Sequence, residues 1–173
     1  KKRQKRKKSN WRKYFGMNLM KLFITASLLQ ILIFNNFYFG GYINPFYYIV
    51  FIFSIPPSTN ASKQLILSFL IGLIIDLFAY AQGIHCFSTV LICYVKLLIE
   101  RKKVDQENTR EIINSSWSNF VSLIVPLTVI HHFSIFFLEI FSTKEFITIT
   151  YHTIFSSVFT LLFIAIHKII RTK

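Results

Sequence analysis

Long apolar stretches separated by short polar breaks set the pattern of this chain. Six of them read as helices: Leu19 to Asn36, Tyr42 to Ile55, Gln64 to Ala81, Ile84 to Ile99, Phe120 to Phe141 and Phe146 to Ile170. A helix that crosses a bilayer needs about 20 predominantly apolar residues, with roughly 17 to 25 the usual range and shorter ones where the bilayer thins. The second stretch is only 14 residues long, bounded by Pro45 and the Pro56-Pro57 pair, so by length alone it also suits a re-entrant segment. The breaks are short except at residues 100 to 118 (ERKKVDQENTREIINSSWS), a polar, helix-compatible loop too small to be a domain. No convincing internal repeat is visible. The pattern predicts an all-α membrane protein: one transmembrane domain of six helices over residues 19–170, preceded by a polar arm at residues 1–18.

Charge decides whether the second stretch crosses. Of the 20 Lys and Arg residues, ten lie at or before Lys21, one is Lys63, five run from Lys96 to Arg110 and three follow His167. If all six stretches cross, these fall on one side and Lys144 alone falls on the other. Such a bias is the positive-inside pattern, with both ends of the chain cytoplasmic. With five crossings, Arg101-Lys102-Lys103 would lie outside.

Composition agrees with that class, at 53% hydrophobic and 16% charged residues. The net charge of +13 is concentrated in the arm, where nine bases fall within the first 13 positions (KKRQKRKKSNWRK). With almost no aromatic interleaving and a membrane helix beside it, the arm suits anionic headgroups better than nucleic acid. Met17-Asn18 reads as a plausible start, with residues 1–16 an extension, and the first apolar run is long enough to remain as an anchor. Tyr42, Tyr47, Tyr48, Tyr80 and Trp117 lie near segment ends, where amphipathic rings favour the interface.

The ionisable residues inside the apolar stretches are the candidate chemistry. Asp76 is alone in QLILSFLIGLIIDLFAYA. A carboxylate at that depth costs about 2.5 to 3.5 kcal/mol on insertion scales, so it must face protein or a wet cavity. It is either an interhelical hydrogen-bond hub or a contact for a ligand, ion or partner. His85, Glu139 and His152 gather with it in the outer half of the six-helix topology, and Asp76 and His85 flank a tight turn where they could pair. His131 and His132 are read as packing donors, and His132 shares a face of the fifth helix with Glu139. Gly72, one turn before Asp76, is expected to allow close helix approach, and Gly83 to make the turn. Cys86 and Cys93, about 10 Å apart along one helical face, are too far apart for a disulfide and read as packed thiols. No nucleophile with a positioned base, glycine-rich phosphate loop, HExxH or CxxC pattern occurs, so neither enzyme activity nor a cofactor is expected.

Three groups of residues resemble one family. Gly41-Tyr42-Ile43-Asn44-Pro45 after the first helix, Gly72-Leu73-Ile74-Ile75-Asp76-Leu77 running into Gly83-Ile84-His85, and His131-His132 through Phe137-Leu138-Glu139-Ile140-Phe141 are similar to the MreD family. These are small rod-shape-determining proteins of the bacterial inner membrane, and the resemblance covers about residues 19–170. Two departures stand out: the arm before Met17, and Gln82 before Gly83 where Pro or Leu is more familiar. The resemblance implies a non-enzymatic scaffold of the cell-elongation machinery, acting in lateral peptidoglycan synthesis. Its implied partners are an MreC-like protein, MreB-type filaments, and a RodA-type glycosyltransferase with its transpeptidase. It also implies a bundle resembling the substrate-binding subunits of energy-coupling-factor transporters. That likeness supplies the alternative, a membrane subunit holding a vitamin-type ligand in an outward-facing pocket.

Overall fold

The computed structural model describes residues 18–37, 43–102 and 112–172. The basic arm, Gly41-Tyr42 and residues 103–111 of the polar loop lie outside them. The described residues form helices and turns without a strand. Helix α1 covers residues 18–32 and α2 covers Val50–Phe53, continuing a 3-10 turn at Tyr47–Ile49. Then follow α3 (Ala61–Ala79), α4 (Ile84–Lys102), α5 (Trp117–Ile140) and α6 (Phe146–Thr172). Among the described residues, four segments are long and apolar enough to cross a membrane: Asn18–Asn36, Ala61–Ala79, Trp117–Ile140 and Thr143–Arg171. Large apolar side chains stay exposed on them, including Leu32, Leu77, Phe78 and Ile147, as lipid contact requires.

The second apolar stretch departs from the expected helix. Its helical part, Tyr47–Phe53, rises only about 10 Å at 1.5 Å per residue. Asn44-Pro45 and Pro56-Pro57 explain the limits, since proline lacks an N–H and drives the residue before it towards an extended backbone. This segment is also the centre of the core. Tyr48, Ile49, Val50, Phe51, Ile52, Phe53 and Ile55 are at most 1% exposed. It runs alongside α6: the Asn44 N–H donates to Ser156 Oγ (3.0 Å), the Phe46 N–H to Thr160 Oγ1 (2.9 Å), and Arg171 Nη1 to Ser54 Oγ (3.2 Å).

Irregular backbone away from water must find protein partners. Gln30 of α1 donates to Pro45 O (3.1 Å) and accepts from the Tyr48 N–H (3.3 Å). At the other end, Lys96 Nζ donates to Ile55 O (3.1 Å), and Gln64 Nε2 donates to Pro56 O (3.3 Å). The isolated polar residues of α1, α3, α4 and α6 therefore replace the hydrogen bonds that a continuous second helix would have made for itself.

The remaining helices pack as hairpins. Between α3 and α4 the chain turns through Tyr80, Gln82 and Gly83 at φ of 55°, 48° and 93°, the last in the left-handed region that glycine enters freely. A Cβ on Gly72 would come within 2.5 Å of Thr89 Oγ1 and 2.7 Å of Cys86 Cα, so α3 and α4 meet there almost backbone to backbone. The α3–α4 and α5–α6 turns mark one end of the bundle. Lys63, Lys96, Arg101, Lys168 and Arg171 mark the other, where Lys168 Nζ donates to Ile113 O (2.8 Å) and Ser115 O (2.7 Å). Lys168 also lies over the Trp117 and Phe120 rings, which pins the start of α5 to the end of α6.

Candidate functional site

The four first amides of α4 lack partners within the helix, as in any helix. The tight turn supplies two acceptors, Ala81 O for the Ile84 N–H and Gly83 O for the Phe87 N–H. Asp76 supplies the others: its Oδ1 accepts from the His85 N–H (2.9 Å) and its Oδ2 from the Cys86 N–H (2.8 Å). The carboxylate, 6% exposed, thus caps α4 from the neighbouring helix, at the positive end of the helix dipole. Asp76 and His85 do meet, but through the histidine backbone rather than its ring.

The ring of His85 turns instead towards Tyr48. The Tyr48 hydroxyl lies 2.8 Å from His85 Nδ1 and 2.9 Å from His131 Nε2, so one residue of the interior segment ties α4 to α5. The Phe46 ring packs against His85, His131 and His132, with centroids 5.3, 5.7 and 5.0 Å away. His132 Nδ1 lies 2.9 Å from Thr128 O, and its Nε2 lies 3.0 Å from Thr160 Oγ1.

Neutral rings order these hydrogens. A carbonyl only accepts, so His132 carries its proton on Nδ1 and takes the Thr160 hydrogen at Nε2, while Thr160 accepts the Phe46 N–H. Tyr48 has one hydrogen for two ring nitrogens, so one histidine must donate to it. His131 Nδ1 has no partner. A proton there would be an unmet donor, so the proton belongs on Nε2, pointing at Tyr48, and the tyrosine donates to His85.

Two residues expected in this cluster lie outside it. Glu139 is exposed on α5, its position near the helix end keeping it at the surface. His152 is half-buried, its ring 5.4 Å from Phe136 at the edge of the group. Conversely, Tyr48 reads from the sequence as an interfacial ring and is fully buried at the centre. Gln30 and Thr160, each with apolar neighbours on both sides, and Gln64, at the polar start of its apolar run, are the other working parts that sequence reasoning missed. Isolation marked Gln30 and Thr160, and nothing in the sequence marked Gln64.

Lys96, counted among the basic anchors, is 1% exposed. Its Nζ donates to Gln64 Oε1 (2.7 Å) and lies 3.2 Å from Glu100 Oε1. Thr160 and His132 have the hydroxyl-to-imidazole contact of a nucleophile and base, but both are fully buried. Among the described residues no three His, Cys, Asp or Glu side chains are placed to share a metal ion. Cys86 and Cys93 are buried free thiols.

No known family model, curated protein or solved structure matches this chain. What the arrangement does chemically follows from its bonds: it fixes helices relative to one another around a broken segment.

Proposed function

We propose that this chain is a non-enzymatic membrane scaffold of the MreD type, which positions other proteins of the bacterial elongation machinery. The observation that carries the reading is that Asp76, His85, His131 and His132 direct their hydrogen bonds to the protein itself, through Tyr48, Thr160 and backbone amides. A vitamin-binding subunit would need convergent polar groups turned towards a cavity. Here they rigidify the interior and leave the apolar outer faces as the surfaces on which partners act.

In this reading the chain crosses the inner membrane six times. The segment from Asn44 to Ser54 counts as a crossing because it follows α6 towards the basic end, shielded from lipid, and the basic end faces the cytoplasm. An MreC-like protein, MreB-type filaments and a RodA-type glycosyltransferase with its transpeptidase are the proposed partners. Depletion in the source cell should round the cells and scatter new wall material, and affinity capture from membranes should recover an MreC-like protein. Normal rod shape on depletion, with a vitamin-type molecule retained through purification, would move the chain to the transporter class.

A further inference from the structure

At the basic end, α1 and the last turns of α6 enclose a groove of about 360 Å³. Asn18, Lys21, Thr25, His167 and Arg171 supply its polar wall, and Leu22 and Ile170 are among its apolar residues. Among the described residues no acidic side chain lines it. Two of the polar residues are held from the core: Arg171 Nη1 donates to Ser54 Oγ, and the Tyr47 hydroxyl lies 2.8 Å from His167 Nδ1. Lys21 is exposed on the first turns of α1. Deeper along the two helices, Ile24, Leu28 and Ile166 are exposed apolar side chains, each about half accessible.

We propose that this groove binds the phosphate headgroup of an anionic membrane phospholipid, with Lys21 and Arg171 as its cationic ligands and the acyl chains lying along α1 and α6. The reasoning is charge complementarity joined to amphipathy. Two cations at one end of an apolar helix pair match a phosphodiester whose tails continue along the hydrocarbon. The volume suits a headgroup, since ligand pockets begin at about 300 Å³. A free anion would gain nothing from the apolar walls. The proposal rests on the basic end lying at a membrane surface and is independent of the elongation role.

The test titrates the full chain, purified in a zwitterionic detergent, with phosphatidylglycerol or phosphatidylcholine and counts bound lipid by native mass spectrometry. The double variant Lys21→Gln with Arg171→Gln should bind phosphatidylglycerol roughly 30-fold more weakly, each cation near a headgroup carrying about a fivefold effect. Phosphatidylcholine binding should not change. Lys7→Gln with Lys8→Gln removes the same charge from the arm and should change phosphatidylglycerol affinity far less. Because Arg171 also holds Ser54, Lys21→Gln alone is read beside the double variant, with about a fivefold loss expected. Equal losses from the groove and arm variants would reduce the effect to net charge and overturn the site. Release of the lipid by excess inorganic phosphate would likewise overturn the assignment to a phospholipid. Lipid retained through Lys21 in a protein whose depletion leaves cell shape normal would keep the site and remove the elongation reading.

Discussion

Replacing Asp76 by leucine removes the acceptor for two amides that have no other partner, those of His85 and Cys86, and it does so at a buried helix start. Side-chain hydrogen bonds inside membrane proteins average about 0.6 kcal/mol and reach about 1.7, so two of them are worth about 1 to 3 kcal/mol. The negative charge at the N-terminal end of α4 adds about 0.3 to 1 kcal/mol. Asp76→Leu should therefore lower stability by about 2 to 4 kcal/mol. Asp76→Asn retains one carbonyl acceptor but turns an NH2 group towards the second amide, so it should recover no more than half of that loss. Denaturant unfolding in mixed micelles, followed by helical circular dichroism, measures both. If the asparagine variant matches the parent while leucine does not, packing rather than paired capping holds the turn. If neither variant loses as much as 0.5 kcal/mol, the cap contributes nothing and the reasoning fails.

Three further expectations follow from the same bonds and charges. A single cysteine placed at Ser142 should react with an impermeant thiol reagent added outside the cell, while one at Asn108 should react only after permeabilisation; the reverse would sink the six-crossing topology. Gly72→Ala forces a methyl group onto Cys86 Cα, a backbone atom that cannot swing aside, and should cost about 1 to 3 kcal/mol in the same unfolding assay. An unchanged midpoint would show that the helices separate easily at that point. Gln30→Leu leaves Pro45 O and the Tyr48 N–H unpaired and should destabilise by about 2 kcal/mol or more. Gln30→Glu, which keeps an acceptor for Tyr48 but loses the donor to Pro45, should also be destabilising, and a neutral result for both would show that water replaces the side chain.

Helix positions could be read from the chain where apolar runs were long and their ends chemically marked. The fourth helix begins at Ile84, straight after the glycine turn, and the sixth begins at Phe146, as read from the sequence. The third starts three residues earlier than expected because the Asn60 side chain accepts the Ser62 N–H and caps it. The fifth also starts three residues early, with Ser116 accepting the Asn119 N–H. Both caps are polar residues that a search for apolar runs discards. The second segment was harder: its apolarity signals burial but does not distinguish lipid from protein as the surroundings. The same ambiguity hides Tyr48, since a tyrosine near a segment end has the same sequence signature in an interfacial belt and in a buried network. Asp76 was identifiable because a lone acid in hydrocarbon needs partners, but the identity of those partners as amides depends on the turn geometry, which residue types alone do not specify.

The enclosed position of the Asn44–Ser54 segment has a consequence for biosynthesis. During synthesis it leaves the ribosome long before α6, whose Ser156 and Thr160 satisfy the Asn44 and Phe46 amides. Until α6 is made, the proline-bounded segment keeps the Asn44 and Phe46 amides open, while Gln30, Gln64 and Lys96 of the earlier helices pair its other backbone groups. Closure of the interior therefore waits on the synthesis of α6. A chain cut short before residue 156 retains most of its lipid-facing surface but lacks these closing bonds, and so presents membrane proteases and insertion chaperones with an unfinished substrate rather than a smaller working protein.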